Sequence, residues 1–146
     1  MEIKRSPVIV AGQQQAYAKG TAVIGSKGFV FLSGSIGMDI SNGEVPEGIA
    51  KQTTLALENI KTRLEEHGSS LDTILHIWWY MKGQFPDGIR SSLEWELCSR
   101  ERERFWEENY PEFSSQNNPP AYTLLGVTAL ALPDFKVEIM VIAAIP

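Results

Sequence analysis

The stretch IAKQTTLALENIKTRLEEHGSSLDTILHIWWYM, residues 49–81, joins two segments with different apolar periodicities. In the first segment the apolar positions recur every three or four residues, so they share one face of a helix. These positions are Ile49, Thr53, Leu57, Ile60 and Leu64. Gly68 is placed to end the helix, because glycine readily adopts the left-handed conformation that commonly follows a helix C-terminus.

The second segment, TILHIWWYM at 73–81, is short and dense in β-branched and aromatic residues, which predicts a strand. Side chains alternate between the two faces of a strand. One face would carry Ile77, Trp79 and Met81, and the other would carry His76, Trp78 and Tyr80. Because both faces are bulky, we expect both to be covered. One tryptophan would belong to the core and the other would form a wall for an aromatic ligand.

Further elements are predicted on both sides of this stretch. Two apolar runs, at 22–25 and 29–34, flank a short turn, and this spacing predicts a hairpin. A polar segment at 89–109 predicts a second helix, and the runs at 123–132 and 136–145 predict two closing strands. The order β-β-α-β-α-β-β indicates an α+β fold in which two helices pack on one face of a sheet.

The second predicted helix combines an apolar stripe with a run of charges. The stripe consists of Leu93, Leu97, Cys98, Phe105 and Trp106. The run RERERFWEE, residues 100–108, mixes both signs, which is typical of a solvated helix face with ion pairs along it. The following segment, 107–118, is predicted to be a solvated loop, with a lid over a binding cleft as the alternative.

Composition narrows the classes of protein that fit this chain. Its 146 residues, 43% of them hydrophobic, suit one domain spanning 1–146. A net charge of −5 argues against a nucleic-acid partner, ribonuclease activity included, because phosphate binding needs clustered cations. No apolar run approaches the roughly 20 residues of a membrane helix, so we expect a cytoplasmic protein. Cys98 stands apart from His67 and His76, so neither a metal site nor a cofactor is predicted.

Six short segments, taken together and in this order, carry a family resemblance. They are AYAKG at 16–20, FLSGSIG at 31–37, NGEVP at 42–46, QTTLALENIKTRLEEHGSSLD at 52–72, PPAY at 119–122 and VEIMVIA at 137–143. The chain resembles the reactive-intermediate deaminase family, RidA or YjgF. The resemblance implies a chorismate-mutase-like fold assembled as a homotrimeric barrel, with a ligand cleft at each subunit boundary. It also implies hydrolysis of enamines and imines with release of ammonia.

The chain departs from the family pattern at the positions that carry this chemistry. Typical members have an arginine directly after the Pro-Ala pair, which grips the substrate carboxylate, and a glutamate on the last strand, which holds water. Here those positions carry Tyr122 and Met140, whereas an earlier acidic position is kept as Glu138. We therefore expect an enzyme that acts in an intersubunit cleft on a conjugated or carbonyl- or imine-bearing metabolite, by a mechanism that does not use that arginine. The alternatives are a metabolite-binding trimer without turnover and a standard deaminase.

The resemblance and the chemistry of the side chains suggest a set of site residues. The catalytic candidates are Tyr17, Tyr122 and Glu138, and the substrate-binding candidates are Ser33, Gly34, Trp78, Thr123 and Met140. A phenol can donate one hydrogen bond and accept another, but it cannot grip a carboxylate with two parallel bonds. Tyr122 is therefore expected to select a neutral or weakly polar ligand, the alternative being that it plugs a disused site. Glu138 has an interfacial ion pair as its alternative role.

Overall fold

A computed structural model describes residues 1–114 and 117–146 as a seven-stranded sheet with two α-helices. The strands are β1 (Glu2–Val10), β2 (Gln13–Ile24), β3 (Gly28–Phe31), β4 (Ser35–Ile36), β5 (Ile74–Lys82), β6 (Ala121–Val127) and β7 (Val137–Ile145). The helices are α1 (Ile49–Glu66) and α2 (Leu93–Asn109), with short 3-10 turns at Leu71–Thr73, Ile89–Ser91 and Pro111–Phe113. The predicted α+β class and the order of the predicted elements are confirmed.

The strand order in the sheet is β1-β2-β6-β5-β7-β3, with β4 also paired to β7. β6 runs parallel to both of its neighbours, β2 and β5, whereas the other pairs are antiparallel. Because β2, β6 and β5 are adjacent, residues from the two ends and the middle of the chain share one surface.

The predicted hairpin between the runs at 22–25 and 29–34 is wrong. β2 pairs with β1 and β6, and β3 pairs with β7 on the other side of the sheet. The hairpin that forms joins β1 to β2 through Ala11 and Gly12, both with positive φ (49° and 78°). Two such residues match the right-handed twist of a tight hairpin. A strand over Glu2–Val10 was not predicted, because its sequence alternates poorly and contains Pro7.

The helix α1 and the strand β5 follow the predicted periodicities. The positions predicted for the apolar face of α1 are all buried, together with Gln52 and Ala56. The amides of Gly68 (φ 71°) and Ser69 donate to the carbonyls of Glu65 and Leu64, which closes the helix in a Schellman motif. On β5, Ile77, Trp79 and Met81 are fully buried, as predicted.

Both helices pack on the face of the sheet that carries these β5 side chains, hereafter the helix face. Cys98 of α2 joins three elements there. Its Sγ accepts a hydrogen bond from Nε1 of Trp79 at 3.1 Å and shares one with Oγ1 of Thr53 at 3.2 Å. Burial raises the pKa of Cys98 to about 11, so this cysteine remains a neutral core thiol at neutral pH. Within the described ranges, neither helix has the length and apolar character needed to cross a bilayer.

Candidate functional site

A cavity of about 540 Å³ opens between α2 and the helix face of the sheet. The described residues contribute four aromatic rings to its wall: Tyr17 from β2, Trp79 from β5, Trp95 from α2 and Tyr122 from β6. The remaining lining residues are Gln15, Ala16, Arg90, Ser99, Arg102, Glu103 and Leu124. We refer to this space as the aromatic cavity.

Strand register and helix phase explain why these side chains meet. Tyr122 and Leu124 of β6 pair with the buried residues Ile77 and Trp79 of β5, so all four point to the helix face. On α2, Trp95, Ser99 and Arg102 are spaced by four and three residues and therefore share one side of the helix. The Ser92 hydroxyl accepts a hydrogen bond from the amide of Trp95 at 3.1 Å, which caps α2 directly beside the cavity.

Tyr122 presents its ring to the cavity and its hydroxyl to the core. The ring is partly exposed, whereas the hydroxyl is deeply buried and accepts a hydrogen bond from Nε1 of Trp106 at 3.1 Å. Burial raises the pKa of Tyr122 to about 12, so the phenol stays protonated at neutral pH. The hydroxyl therefore has a bond to the buried Trp106 independently of any ligand.

Arg102 departs from the prediction made for its charge run. Three ion pairs run along α2 as predicted: Arg100–Glu96 and Arg104–Glu108 are exposed, and Arg104–Glu101 lies beside Thr54 of α1. Arg102 instead is only 9% exposed and faces the cavity. Its guanidinium carbon lies 5.2 Å from the ring centroid of Trp95 and 5.5 Å from that of Tyr122.

Arg102 forms an ion pair with Glu103. Their Nη2 and Oε1 atoms are 3.1 Å apart, and the two side chains are 11% and 29% exposed. The spacing of Trp95, Arg102 and Trp106 along α2 was the sequence signal for this arrangement, since residues seven and four apart share one side of a helix. The buried position of Arg102 was not predicted, because the arginines on either side of it, Arg100 and Arg104, are exposed and make the whole run look solvated.

The sheet separates four of the predicted site residues from the aromatic cavity. Trp78 pairs with Thr123 on one side and Met140 on the other, and Tyr80 pairs with Glu138. These side chains therefore lie on the face opposite the helices, hereafter the outer face. There the His76 ring stacks on Trp78 at 3.9 Å, and its Nε2 shares a hydrogen bond with Oγ1 of Thr123 at 2.9 Å. Burial lowers the pKa of His76.

Ser33 and Gly34 lie between β3 and β4, close to Glu138 rather than to Tyr122. Ser33 is exposed, and a Cβ added to Gly34 would lie 2.5 Å from Cδ of Glu138. The absence of a side chain at Gly34 thus allows the Glu138 carboxylate to approach. Within one chain, the structure brings Tyr17 and Tyr122 together at the aromatic cavity and groups Gly34 with Glu138 elsewhere.

The segment 107–118 is partly anchored in the core. Phe113 is 1% exposed, and its ring packs edge-on against Trp106 and Tyr110, at centroid distances of 5.2 and 4.7 Å. Residues 115 and 116 of the proposed lid lie outside the described residues. The part of the segment up to residue 114 therefore supports α2 from its C-terminal end rather than remaining fully solvated.

Comparison with protein-family models matches residues 10–86, 77 of the 146 residues, to the family described as endoribonuclease L-PSP. The chain belongs to the endoribonuclease L-PSP family. Two RutC family proteins, from Pyrococcus abyssi and Pyrococcus horikoshii, are each 42% identical to this family member over 55 residues. That match covers 37% of this chain and only 43% and 44% of the respective relatives, less than half of their length.

Solved structures of related proteins extend the match to the whole fold. The Rid family protein YyfB from Yersinia pestis has a TM-score of 0.71 at 20% identity, covering 99% of both chains. Escherichia coli YjgF has a TM-score of 0.64 at 25% identity, covering 96% of this chain and 93% of that one. Escherichia coli TdcF with bound serine has a TM-score of 0.65 at 24% identity over the same shares. The resemblance to RidA and YjgF proteins is confirmed.

Helix α2 and Tyr122 both lie outside the part of this L-PSP member that matches the family model, residues 10–86. Among the lining residues that were not predicted as site residues, four come from α2: Trp95, Ser99, Arg102 and Glu103. The wall they form is therefore drawn from the part of the chain that the family model leaves unmatched.

Proposed function

We propose that this protein acts on a small conjugated or carbonyl- or imine-bearing metabolite in the aromatic cavity, without an arginine at position 122. The supporting observation is the composition of the cavity, about 540 Å³ with four aromatic rings and one largely buried ion pair. Ligand sites typically have volumes of about 300–1,000 Å³ and apolar walls with a few convergent polar groups. This cavity has both properties.

The polar groups of the cavity have chemical properties that suit such a ligand. The Tyr122 hydroxyl accepts from Trp106 on the core side, so Tyr122 would offer the ligand the face of its ring. Its raised pKa keeps the phenol neutral near neutral pH, so Tyr122 adds no charge to the cavity. Glu103 supplies a carboxylate that could orient water or accept a proton. Tyr17, 37% exposed, would close the mouth over the ligand.

A homotrimer is part of this proposal. The outer face exposes Phe29, Phe31 and Leu125 to 51%, 72% and 43% beside the half-buried Trp78 and Met140. An apolar face of this kind is stabilised by a covering partner, and a closed cyclic assembly covers it on every copy. The outer face of one subunit would then adjoin the next subunit. Light scattering should give about three times the chain mass of 16.3 kDa, and a stable monomer would contradict this part of the proposal.

Turnover is tested by incubating the purified protein with conjugated carbonyl compounds and with 2-aminoacrylate-type enamines, following substrate absorbance and ammonia. We expect consumption of a conjugated substrate and weak ammonia release from simple enamines. Trp95→Ala should weaken the activity, whereas Leu93→Ala, which truncates a residue 65% exposed on the same helix, is the matched control. Strong ammonia release by the unchanged protein would support the standard deaminase instead.

Metabolite binding without turnover is the second candidate, favoured by tyrosine and methionine at positions 122 and 140. Tight binding with no consumption of any tested compound would support it. The endoribonuclease activity in the family description is not extended to this chain, because a net charge of −5 disfavours an RNA-binding surface.

A further inference from the structure

The charges that line the aromatic cavity differ in sign from the charge of the whole chain. Among the described lining residues Arg90 and Arg102 are cationic and Glu103 is anionic, which leaves one net positive charge. The chain as a whole carries −5. Inside the recess Arg102 and Glu103 balance each other, and the excess positive charge belongs to the exposed Arg90 at the mouth, where it would raise the concentration of anions. The charges at the cavity therefore favour an anion more than the charge of the whole chain does.

Arg102 is the cation positioned to contact such an anion directly. Its guanidinium lies against the Trp95 and Tyr122 rings, which restrict its movement and support a planar group beside it. A guanidinium has five N–H donors, and among the described residues Arg102 donates a hydrogen bond only to Glu103. The other donors can serve a ligand in the cavity that Arg102 lines. Arg90, which is exposed, would act at the mouth.

We infer that the aromatic cavity binds a planar aromatic carboxylate, with the carboxylate on the Arg102 guanidinium and the ring system between the aromatic walls. This inference rests on the proposed function, since it specifies the ligand of the same cavity. It changes the expectation of a neutral ligand, which followed from Tyr122 considered alone. The cation is supplied by α2, the helix that precedes β6, rather than by the residue after Pro120 and Ala121.

Glu103 should affect anion binding in the direction opposite to Arg102. Its carboxylate occupies one edge of the guanidinium at 3.1 Å, so it competes with a ligand carboxylate for Arg102. Replacing it with the neutral glutamine should therefore strengthen anion binding, while replacing Arg102 should weaken it. A merely structural role for the pair would not move the two affinities in opposite directions.

The test is isothermal titration calorimetry with three probes: 2-naphthoate, its neutral amide 2-naphthamide, and cyclohexanecarboxylate. We expect the wild type to bind 2-naphthoate about 10- to 100-fold more tightly than the amide, the range expected for a hydrogen bond to a charged group. Cyclohexanecarboxylate, which has no aromatic ring, should bind more weakly than 2-naphthoate. This comparison uses only the wild-type protein.

Two variants and a control complete the experiment. Arg102→Gln should remove the preference for 2-naphthoate, and Glu103→Gln should increase it about threefold or more, consistent with removal of a competing charge. Arg100→Gln makes the same substitution at an exposed position on the same helix and should change nothing. Thermal melting would verify that each variant is folded. If Arg102→Gln is not folded, the comparison of the three probes on the wild type decides whether the cavity prefers an aromatic carboxylate.

The outcomes separate this inference from the proposal it rests on. Equal affinity for 2-naphthoate and 2-naphthamide would overturn the anion site but leave a cavity for planar molecules. A preference for 2-naphthoate that survives in folded Arg102→Gln would also overturn the assignment. If neither aromatic probe binds, both the ligand class and the aromatic cavity as a binding site fail.

Discussion

Replacing Tyr122 with phenylalanine removes one oxygen atom, and its effect can be worked out from a single contact. The hydroxyl accepts a hydrogen bond from Nε1 of Trp106 at 3.1 Å, and Trp106 is fully buried. The variant leaves this indole N–H without its acceptor, and a buried donor without a partner costs about 1–3 kcal/mol. We expect the free energy of unfolding to fall by that amount. The melting temperature should fall by roughly 2–4 °C per kcal/mol for a chain of this size.

Urea unfolding at fixed protein concentration, followed by tryptophan fluorescence, measures this loss. Tyr17→Phe makes the same substitution on an exposed cavity residue and should stay within about 0.5 kcal/mol of wild type. A double-mutant cycle with Trp106→Phe isolates the energy of the pair. A coupling energy near zero, with Tyr122→Phe as stable as wild type, would refute the reasoning. If ligand affinity fell instead while stability was unchanged, the hydroxyl would serve the ligand rather than the core.

Three further predictions concern pH, packing and activity. Burial raises the pKa of Tyr122 to about 12 and of Cys98 to about 11, so the unfolded chain releases these protons first as pH rises. The free energy of unfolding should therefore decrease between pH 9.0 and about 12, less steeply in Tyr122→Phe and Cys98→Ala, as urea titrations at each pH would reveal. Gly37→Ala places a Cβ 2.2 Å from the backbone of α1 and should lose about 2–3 kcal/mol. In Gly34→Ala the atoms nearest to the added Cβ belong to the flexible Glu138 side chain, so this variant should lose under about 1 kcal/mol, and equal losses would contradict this assignment. Tyr122→Arg should raise ammonia release from 2-aminoacrylate-type enamines, and unchanged release would count against an arginine clamp at this position.

Local periodicity was enough to locate α1 and β5. The three- and four-residue spacing of the buried positions on α1, and the alternation of Ile77, Trp79 and Met81, are properties of neighbouring residues. Gly68 could be assigned in the same way, because a helix end depends on the few residues around it. The short segments that indicated the family are likewise local, and four of the six lie within residues 10–86, which match the family model.

Strand partners and the division of the site residues between two faces could not be obtained in this way. The turn between β2 and β3 gave a correct local signal, yet β2 lies between β1 and β6 and β3 lies beside β7. Adjacent residues on a strand face opposite sides, so the sequence pair Tyr122 and Thr123 is divided between the aromatic cavity and the outer face. Which face each one occupies depends on the register with β5.

The cavity itself was decided only by tertiary structure. Tyr17, Arg102 and Tyr122 come from β2, α2 and β6, and no spacing in the sequence relates them. The charge run around Arg102 predicts solvent exposure, and the packing of α2 on the sheet overrides it for this one arginine. Periodicity shows which face of its own helix or strand a residue occupies. Burial, charge pairing and the occupants of a cavity depend on the surface packed against it, which belongs to distant parts of the chain.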